Sequence, residues 1–384
     1  MKIGVIGAGR LGICFALLCE RAGYDVVVSD IREDYVKDLQ NKKIVTNEPG
    51  VQELLSVSQN LKATTSNEEV IRECDMIYTL VATPSTSDGD YDVSAVWNVV
   101  EDIRTVLNDN DIEGGKAFIV GCTTNPGDCD DFSASLKGYG VEVFYNPEFI
   151  AQGSIISDLR RADMVLIGGE NNHVYDRLVQ LYYAIQGPEL EPQISLMSRS
   201  AAELVKLAVN CYLTTKISYA NMVGQVMALS GMASEIDNVL YAIGADSRVG
   251  HKYLKYGYGF GGPCLPRDNR AFAAYARRVG VQYNLGRVSD EINEEHSHFL
   301  AAYVEAEAKG LPIYFDYVSY KKGTDILTES QQLVLATQLL DKGQRVYITD
   351  IPAVIEKIEY DFTIKYGDRV RFVEPTEEVY RVNL

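Results

Sequence analysis

The sequence predicts an α/β protein in three parts, and three observations predict it. Over the first half, strand-like apolar runs alternate with helical stretches. From Ser200 to about Ser230 one amphipathic stretch continues with no proline and only Gly224 as a weak point. Near residue 300 a shorter alternation of helix and strand resumes. These shifts set the expected boundaries at 1–193, 194–298 and 299–384.

The first part begins with Lys2–Ile6, nearly continuous in apolar residues, as a buried parallel strand is. Gly7-Ala-Gly9-Arg10-Leu11-Gly12 follows, then an apolar helix over Ile13–Ala22, Gly23 to close it, and a second strand ending at Asp30. This strand–GxGxxG–helix–strand–acid order is the layout of a dinucleotide-binding, Rossmann-type fold. Helix N–H groups would receive the pyrophosphate, and Asp30 would accept from the adenosine ribose hydroxyls, which favours NAD. Arg32 pulls the other way, since an arginine there can accommodate the 2′-phosphate of NADP. Further strands are expected at Asp75–Val81, Lys116–Gly121, Val141–Tyr145 and Met164–Gly168, in a doubly wound sheet reaching about residue 190. Three polar loops follow strand ends: Val81–Pro84, Gly121–Gly127 and Asn146–Gly153. Ligands in open α/β sheets bind outside such ends, so these loops are expected around a nicotinamide, although the same residue types also build plain turns.

In the long helix, Glu203, Lys206 and Asn210 share one face. A lysine and an asparagine there could hold a developing oxyanion and a sugar hydroxyl; a solvated polar face has the same pattern. About 30 residues at 1.5 Å each span ~45 Å, enough to link domains or build a dimer interface.

Gly257–Asp268 combines four glycines with Pro263 and Pro266 around one thiol, Cys264, followed by Arg267 and Asp268. Glycines allow close approach to a ligand, prolines stiffen, and a nearby cation favours a thiolate. A Gly-rich loop with an inert cysteine is the alternative. Arg248, Lys252, Lys255, Arg267 and Arg270 form a basic island with only Asp268 opposing in the sequence, which suits an anionic small ligand. The third part reads as helix Phe299–Lys309, strand Pro312–Asp316, loop Val318–Ser330, helix Gln331–Lys342 and strand Arg345–Asp350, a second and smaller Rossmann-like half. His296 and His298 are expected to be solvated, and the four histidines have no metal-ligand spacing.

Composition narrows the class. A net charge of −18 disfavours nucleic acid and anionic membranes. Seven cysteines without a CxxC pair fit neither a disulfide framework nor a zinc site. The N-terminus enters a strand without a signal-peptide layout, and a reduced, cytoplasmic setting is expected.

Taken together, these motifs resemble the UDP-glucose/GDP-mannose dehydrogenase family along nearly the whole chain. The resemblance rests on Gly7–Gly12 with Asp30, Thr83-Pro84, Thr123 before Pro126-Gly127, and Asn146-Pro-Glu-Phe149. It continues with Glu203-Leu-Val-Lys206, Asn210, Asp246–Gly250, Gly259–Cys264, and Tyr320–Asp325 before Glu329-Ser330. It implies Cys264 as nucleophile and Lys206 with Asn210 as the oxyanion-stabilising pair. It implies Asp268 and Thr123 around a proton-transferring water, and Glu148 in thioester hydrolysis. Gly7, Gly9, Arg10, Leu11, Gly12, Asp30, Thr83, Thr123 and Arg267 would contact NAD. Glu148, Phe149, Lys206, Asn210, Arg248, Lys255, Gly261 and Lys321 would contact the nucleotide sugar, with Arg248 reaching a neighbouring subunit of a homodimer. The implied reaction is four-electron oxidation of a sugar C6 alcohol to the uronic acid, UDP-glucose to UDP-glucuronate, of the kind that serves polysaccharide synthesis. GDP-mannose or another nucleotide sugar, a two-electron hydroxyacid dehydrogenase and a non-catalytic binding protein are the alternatives. Four positions depart from the family pattern: Gln152 stands for Glu, Pro263 for Ser, Arg267 for Lys and Thr328 for Arg.

Overall fold

The computed structural model describes residues 1–108, 115–150, 153–187, 190–191 and 193–384. Gln152 lies outside them. The chain forms two compact units, Met1–Lys206 and Leu207–Leu384.

Among the described residues the first unit is built on eight strands: β1 (Lys2–Ile6), β2 (Asp25–Ser29), β3 (Leu61–Thr64), β4 (Met76–Thr79), β5 (Lys116–Val120), β6 (Val141–Tyr145), β7 (Val165–Gly168) and β8 (Ile194–Met197). Their order is β3-β2-β1-β4-β5-β6-β7-β8. All neighbours are parallel except β6 and β7, which meet antiparallel at Tyr145 and Gly168. Both faces are covered, and this explains the continuous apolar runs. Ile3, Val5, Val26 and Val28 enter one core cluster, while Ile6, Val27, Ile77 and Phe118 enter another. Successive side chains point to opposite faces, so a strand buried on both sides has no polar register to spare. The four later strands expected from the sequence form within one to two residues of their expected bounds. β3 and β8 were not foreseen. Both are four-residue edge strands, too short for a period-2 pattern to stand out from the neighbouring loops.

The order β3-β2-β1-β4 makes β1 and β4 the topological switch point, where such sheets open a crevice. The Gly-rich turn leaves β1 there, and the loops after β4, β5 and β6 start at the same end of the sheet.

The long helix is one continuous element, Arg199–Leu229, beginning in the first unit and continuing in the second. The second unit adds helices Ile236–Ala245, Leu265–Arg278 and Leu285–Ala308, then a parallel sheet in the order β11-β10-β9-β12. Its strands are β9 (Ile313–Phe315), β10 (Val346–Ile348), β11 (Val370–Arg371) and β12 (Tyr380–Arg381), packed with helices Gln331–Asp341 and Pro352–Tyr366.

Two expectations for this region are corrected. The helix read as Phe299–Lys309 is the end of a 24-residue helix that starts at Leu285, where the Asn284 side chain accepts from the Arg287 N–H. Its charged middle, Asp290–Glu295, hid the apolar period. His296 is buried at 1% exposure rather than solvated; its Nε2 lies 2.8 Å from the Gly257 carbonyl and its ring packs with Tyr256 and Phe299. His298 is exposed as expected.

Candidate active site

In the first unit the turn after β1 has the shape a dinucleotide needs. Gly7 has φ +96°, and a Cβ there would lie 2.7 Å from the Leu80 carbonyl oxygen; a Cβ on Gly12 would lie 2.0 Å from the Gly7 carbonyl oxygen. Side chains are excluded at both positions by backbone. Around Gly9, the N-cap of helix Arg10–Arg21, the space is open. That is the place where a pyrophosphate meets helix N–H groups, so the residues present fit NAD. Asp30 stands at the end of β2, its N–H donating to the Thr64 carbonyl. Thr83 is buried, Leu11 half-buried and Arg10 exposed.

The loops after β5 and β6 are tied to the long helix. Glu203 is fully buried. Its carboxylate accepts from the Thr124 hydroxyl at 2.8 Å, the Gly127 N–H at 2.7 Å and the Cys129 N–H at 2.9 Å. It thereby caps helix Asp128–Ser135 from another element and fixes the loop carrying half-buried Thr123. Burial raises the Glu203 carboxyl to about 7, against the pull of these same donors. One turn on, Lys206 Nζ donates to the Glu148 carbonyl at 2.9 Å and stands 4.7 Å from the Phe149 ring centroid.

Glu148 is also raised to about 7. Burial is the main cause, offset by the Tyr182 hydroxyl and the Lys206 charge. The Tyr182 oxygen lies 2.8 Å from both Glu148 Oε1 and Asn146 Oδ1. A phenol has one proton to give. With Glu148 protonated, the acid can donate to Tyr182 while Tyr182 donates to Asn146; with Glu148 ionised, the two acceptors share one proton. This geometry favours a carboxyl that exchanges protons near neutrality. Farther along the same loop, Glu48 accepts from the Gly153 N–H at 2.6 Å and from the Ile155 N–H at 3.4 Å.

In the second unit the polar face of the long helix is buried rather than solvated. Asn210 donates to the carboxylate of Asp268, which is 2% exposed. Thr214 donates to Asn269 Oδ1 at 2.8 Å, and Asn269 donates to the Gly286 carbonyl at 2.7 Å. Helix Leu265–Arg278 is thus held in register against the long helix by side chains that cannot slide without losing partners.

Cys264 is the N-cap of that helix and is exposed, whereas the other six cysteines are buried. The partial positive charge of a helix N-terminus stabilises an anion formed there. Its loop is rigid. The Asn293 side chain accepts from the Phe260 N–H at 2.8 Å and donates to the Phe260 carbonyl at 2.9 Å. A Cβ on Gly261 would meet the Glu329 carbonyl oxygen at 2.2 Å, and one on Gly262 would meet the Tyr320 ring at 2.5 Å. Those contacts seat the thiol loop on Val318–Ser330, which carries exposed Lys321.

The basic island needs correction. Arg248 forks onto Asp246, at 3.0 and 2.6 Å, and Arg270 pairs with Asp290 and Glu329. Asp290 and Glu329 are distant in sequence from the island, so charge counted along the chain overstated the positive field. Lys252 and Lys255 are exposed and Arg267 half-buried.

Sequence reasoning missed Glu203 as an anchor, together with Glu48, Tyr182 and Asn293. For Glu203 a signal existed: an acid in phase with Lys206 and Asn210 on an otherwise apolar helix. The others are brought in from 33 to 105 residues away, and nothing local marks them.

Comparison with known proteins agrees with this architecture. Residues 1–186 match the NAD binding domain of the UDP-glucose/GDP-mannose dehydrogenase family, and residues 200–295 match its central domain. The chain is 30% identical to UDP-glucose 6-dehydrogenase AglM of Haloferax volcanii, over 96% of this chain and 87% of that protein. It is also 30% identical to a UDP-glucose 6-dehydrogenase of Pseudomonas aeruginosa, over 91% and 79%. A UDP-glucose dehydrogenase structure from Pyrobaculum islandicum superposes with a TM-score of 0.85 at 28% identity, covering 97% of this chain and 86% of that one. With a glycine cradle shaped for a dinucleotide, an exposed thiol at a helix N-terminus and family matches over both regions, the chain belongs to the UDP-glucose/GDP-mannose dehydrogenase family and is an NAD-dependent nucleotide-sugar dehydrogenase.

Proposed function

We propose that this enzyme oxidises the C6 alcohol of UDP-glucose through the aldehyde to UDP-glucuronate, in two successive two-electron steps. The observation that carries the proposal is Cys264: the one exposed thiol of the chain, at a helix N-terminus, in a loop whose glycines leave no room for side chains. The 30% identical relatives named for UDP-glucose favour that sugar nucleotide over the GDP-mannose that the family name also covers.

NAD, when bound, supplies the hydride acceptor for both oxidations. The chain's own residues do the rest. A water held by Thr123 and Asp268 takes the alcohol proton as the C6 hydride leaves. The Cys264 thiolate adds to the aldehyde carbon, and its oxygen becomes the oxyanion of a thiohemiacetal. Loss of the second hydride from this adduct restores the C=O bond as a thioester. Water then attacks with Glu148 taking its proton, and the thiolate departs. The Lys206 ammonium and the Asn210 amide stabilise the oxyanion at each tetrahedral stage. Lys255 and Lys321 supply cations to the diphosphate.

Wild type is expected to form two NADH for each UDP-glucose and release the uronate. Cys264→Ala should slow the second oxidation by roughly three orders of magnitude while sparing the first far more. NADH stoichiometry with product mass reads this. One NADH per substrate in wild type, or a fully active alanine variant, would overturn the thiol mechanism.

The same reading includes a homodimer. Beyond Asn210 the long helix exposes Tyr212, Tyr219, Met222, Val226 and Leu229, an apolar stripe that a second copy would cover. Light scattering should give twice the chain mass, and Val226→Glu should shift it toward the monomer; a monomeric wild type with full activity sinks this part.

A further inference from the structure

Asp30 is not a bare carboxylate. The Arg32 guanidinium forks onto it, Nε to Oδ1 and Nη2 to Oδ2, both at 2.8 Å, and the Arg32 N–H donates to Oδ1 at 3.1 Å. The Asp30 side chain is 8% exposed and that of Arg32 is 55% exposed. Tyr35 holds the guanidinium from beneath, with its ring centroid 4.1 Å from Cζ. Burial works against the ionised Asp30, but the hydrogen bonds from Arg32 outweigh it and keep the carboxyl below its ordinary value. The pair is therefore a fixed, ionised and neutral unit at the end of β2.

An isolated aspartate at this position selects NAD by repelling a 2′-phosphate. Here the repelling charge is cancelled in place. The fork uses two of the five guanidinium N–H groups and leaves three on an exposed side chain. With the Arg32 N–H and Nε both on Oδ1, it leaves Asp30 one lone pair, on Oδ2, for a ribose hydroxyl. The acids that oppose a phosphate are Glu33 and Asp34 in the next turn; both are exposed, and Asp34 is paired with Lys37 at 3.3 Å.

We infer that Arg32 is a specificity-determining residue: forked on Asp30, it makes the adenosine-ribose end tolerant of a 2′-phosphate, so the enzyme accepts NADP alongside NAD. This rests on the reading that places Asp30 at the ribose.

The test is calorimetric binding of NAD and of NADP to the full-length protein, read as the ratio of the NADP to the NAD dissociation constant. In wild type the ratio is expected below about 100, and Arg32→Ala should raise it about tenfold, the effect of one lost charge-assisted contact. A wild-type ratio above that bound, or a shift of less than about threefold on Arg32→Ala, overturns the inference. Asp30→Asn separates it from the underlying reading. If that change lowers the ratio while Arg32→Ala does not move it, Asp30 is at the ribose and only the role of Arg32 fails. If Asp30→Asn alters neither affinity, the placement of Asp30 fails and the inference with it.

Discussion

In the first unit the functional loops hang on carboxylates. Glu203 gathers three donors from the loop after β5, and Glu48 takes two backbone N–H groups from the loop after β6. In the second unit the Cys264 loop hangs on neutral groups. Asn293 pairs with both polar atoms of Phe260, Asn221 accepts from the Gly257 N–H, and His296 meets the Gly257 carbonyl. The choice follows from what each loop presents. A loop opening a helix offers only N–H groups, and a carboxylate, which only accepts, suits it. The glycine loop presents the N–H and C=O of Phe260 together, and an amide has one of each to return. The consequence is that proton binding reaches the two sites differently.

The largest difference should appear on deletion. Glu203→Ala leaves two backbone N–H groups and a hydroxyl without their partner in a dry site, and is expected to cost about 2–4 kcal/mol in denaturant unfolding and to lower kcat through the misplaced Thr123. Asn293→Ala exposes one N–H and one C=O at a half-buried position, where water can replace the amide, and should cost about 1–2 kcal/mol. Equal losses in the two variants would remove the distinction between charged and neutral anchors.

A smaller effect, opposite in sign between the regions, is expected with pH. Burial raises the folded-state carboxyls of Glu203 and Glu148 to about 7 from their ordinary value of 4.5. The folded state therefore binds more protons than the unfolded state between those values, and stability from this source is lost as pH rises from 4.5 to 7. His296 is lowered from 6.5 by burial, so its contribution is present above 6.5 and is lost as pH falls through the folded-state value. Hydrogen exchange corrected for intrinsic rates should show the Gly127 and Cys129 amides opening more readily as pH rises toward 7, and the Gly257 amide opening more readily as pH falls below 6.5. Glu203→Gln should flatten the first trend and leave the second, and His296→Gln should do the reverse. Parallel trends at both places would show a single global opening instead.

Much of this is legible in the sequence. The apolar run, Gly7–Gly12 and Asp30 specified a nucleotide crevice because each step depends on local sterics: a positive φ, a Cβ with no room, a strand of fixed length. The Gly259–Cys264 loop was legible for the same reason. The fork on Asp30 was half legible; Arg32 stood two residues away, but only the folded β2 end shows that it neutralises the acid. The polar face at Glu203, Lys206 and Asn210 could not be settled from spacing, since a solvated stripe and a buried seam have the same period.

The sequence by itself determined most strands of the two sheets, the long helix, the cofactor turn and the glycine loop around Cys264, because short-range geometry and hydrophobic period dictate them. Tertiary structure alone decided which charges are cancelled and which are active. Arg270 meets Asp290 and Glu329, Tyr182 meets Glu148, and Glu203 meets Gly127, over separations of 20 to 76 residues. Electrostatic and desolvation energies depend on distance in space and on exclusion of water, and neither quantity can be read along a chain.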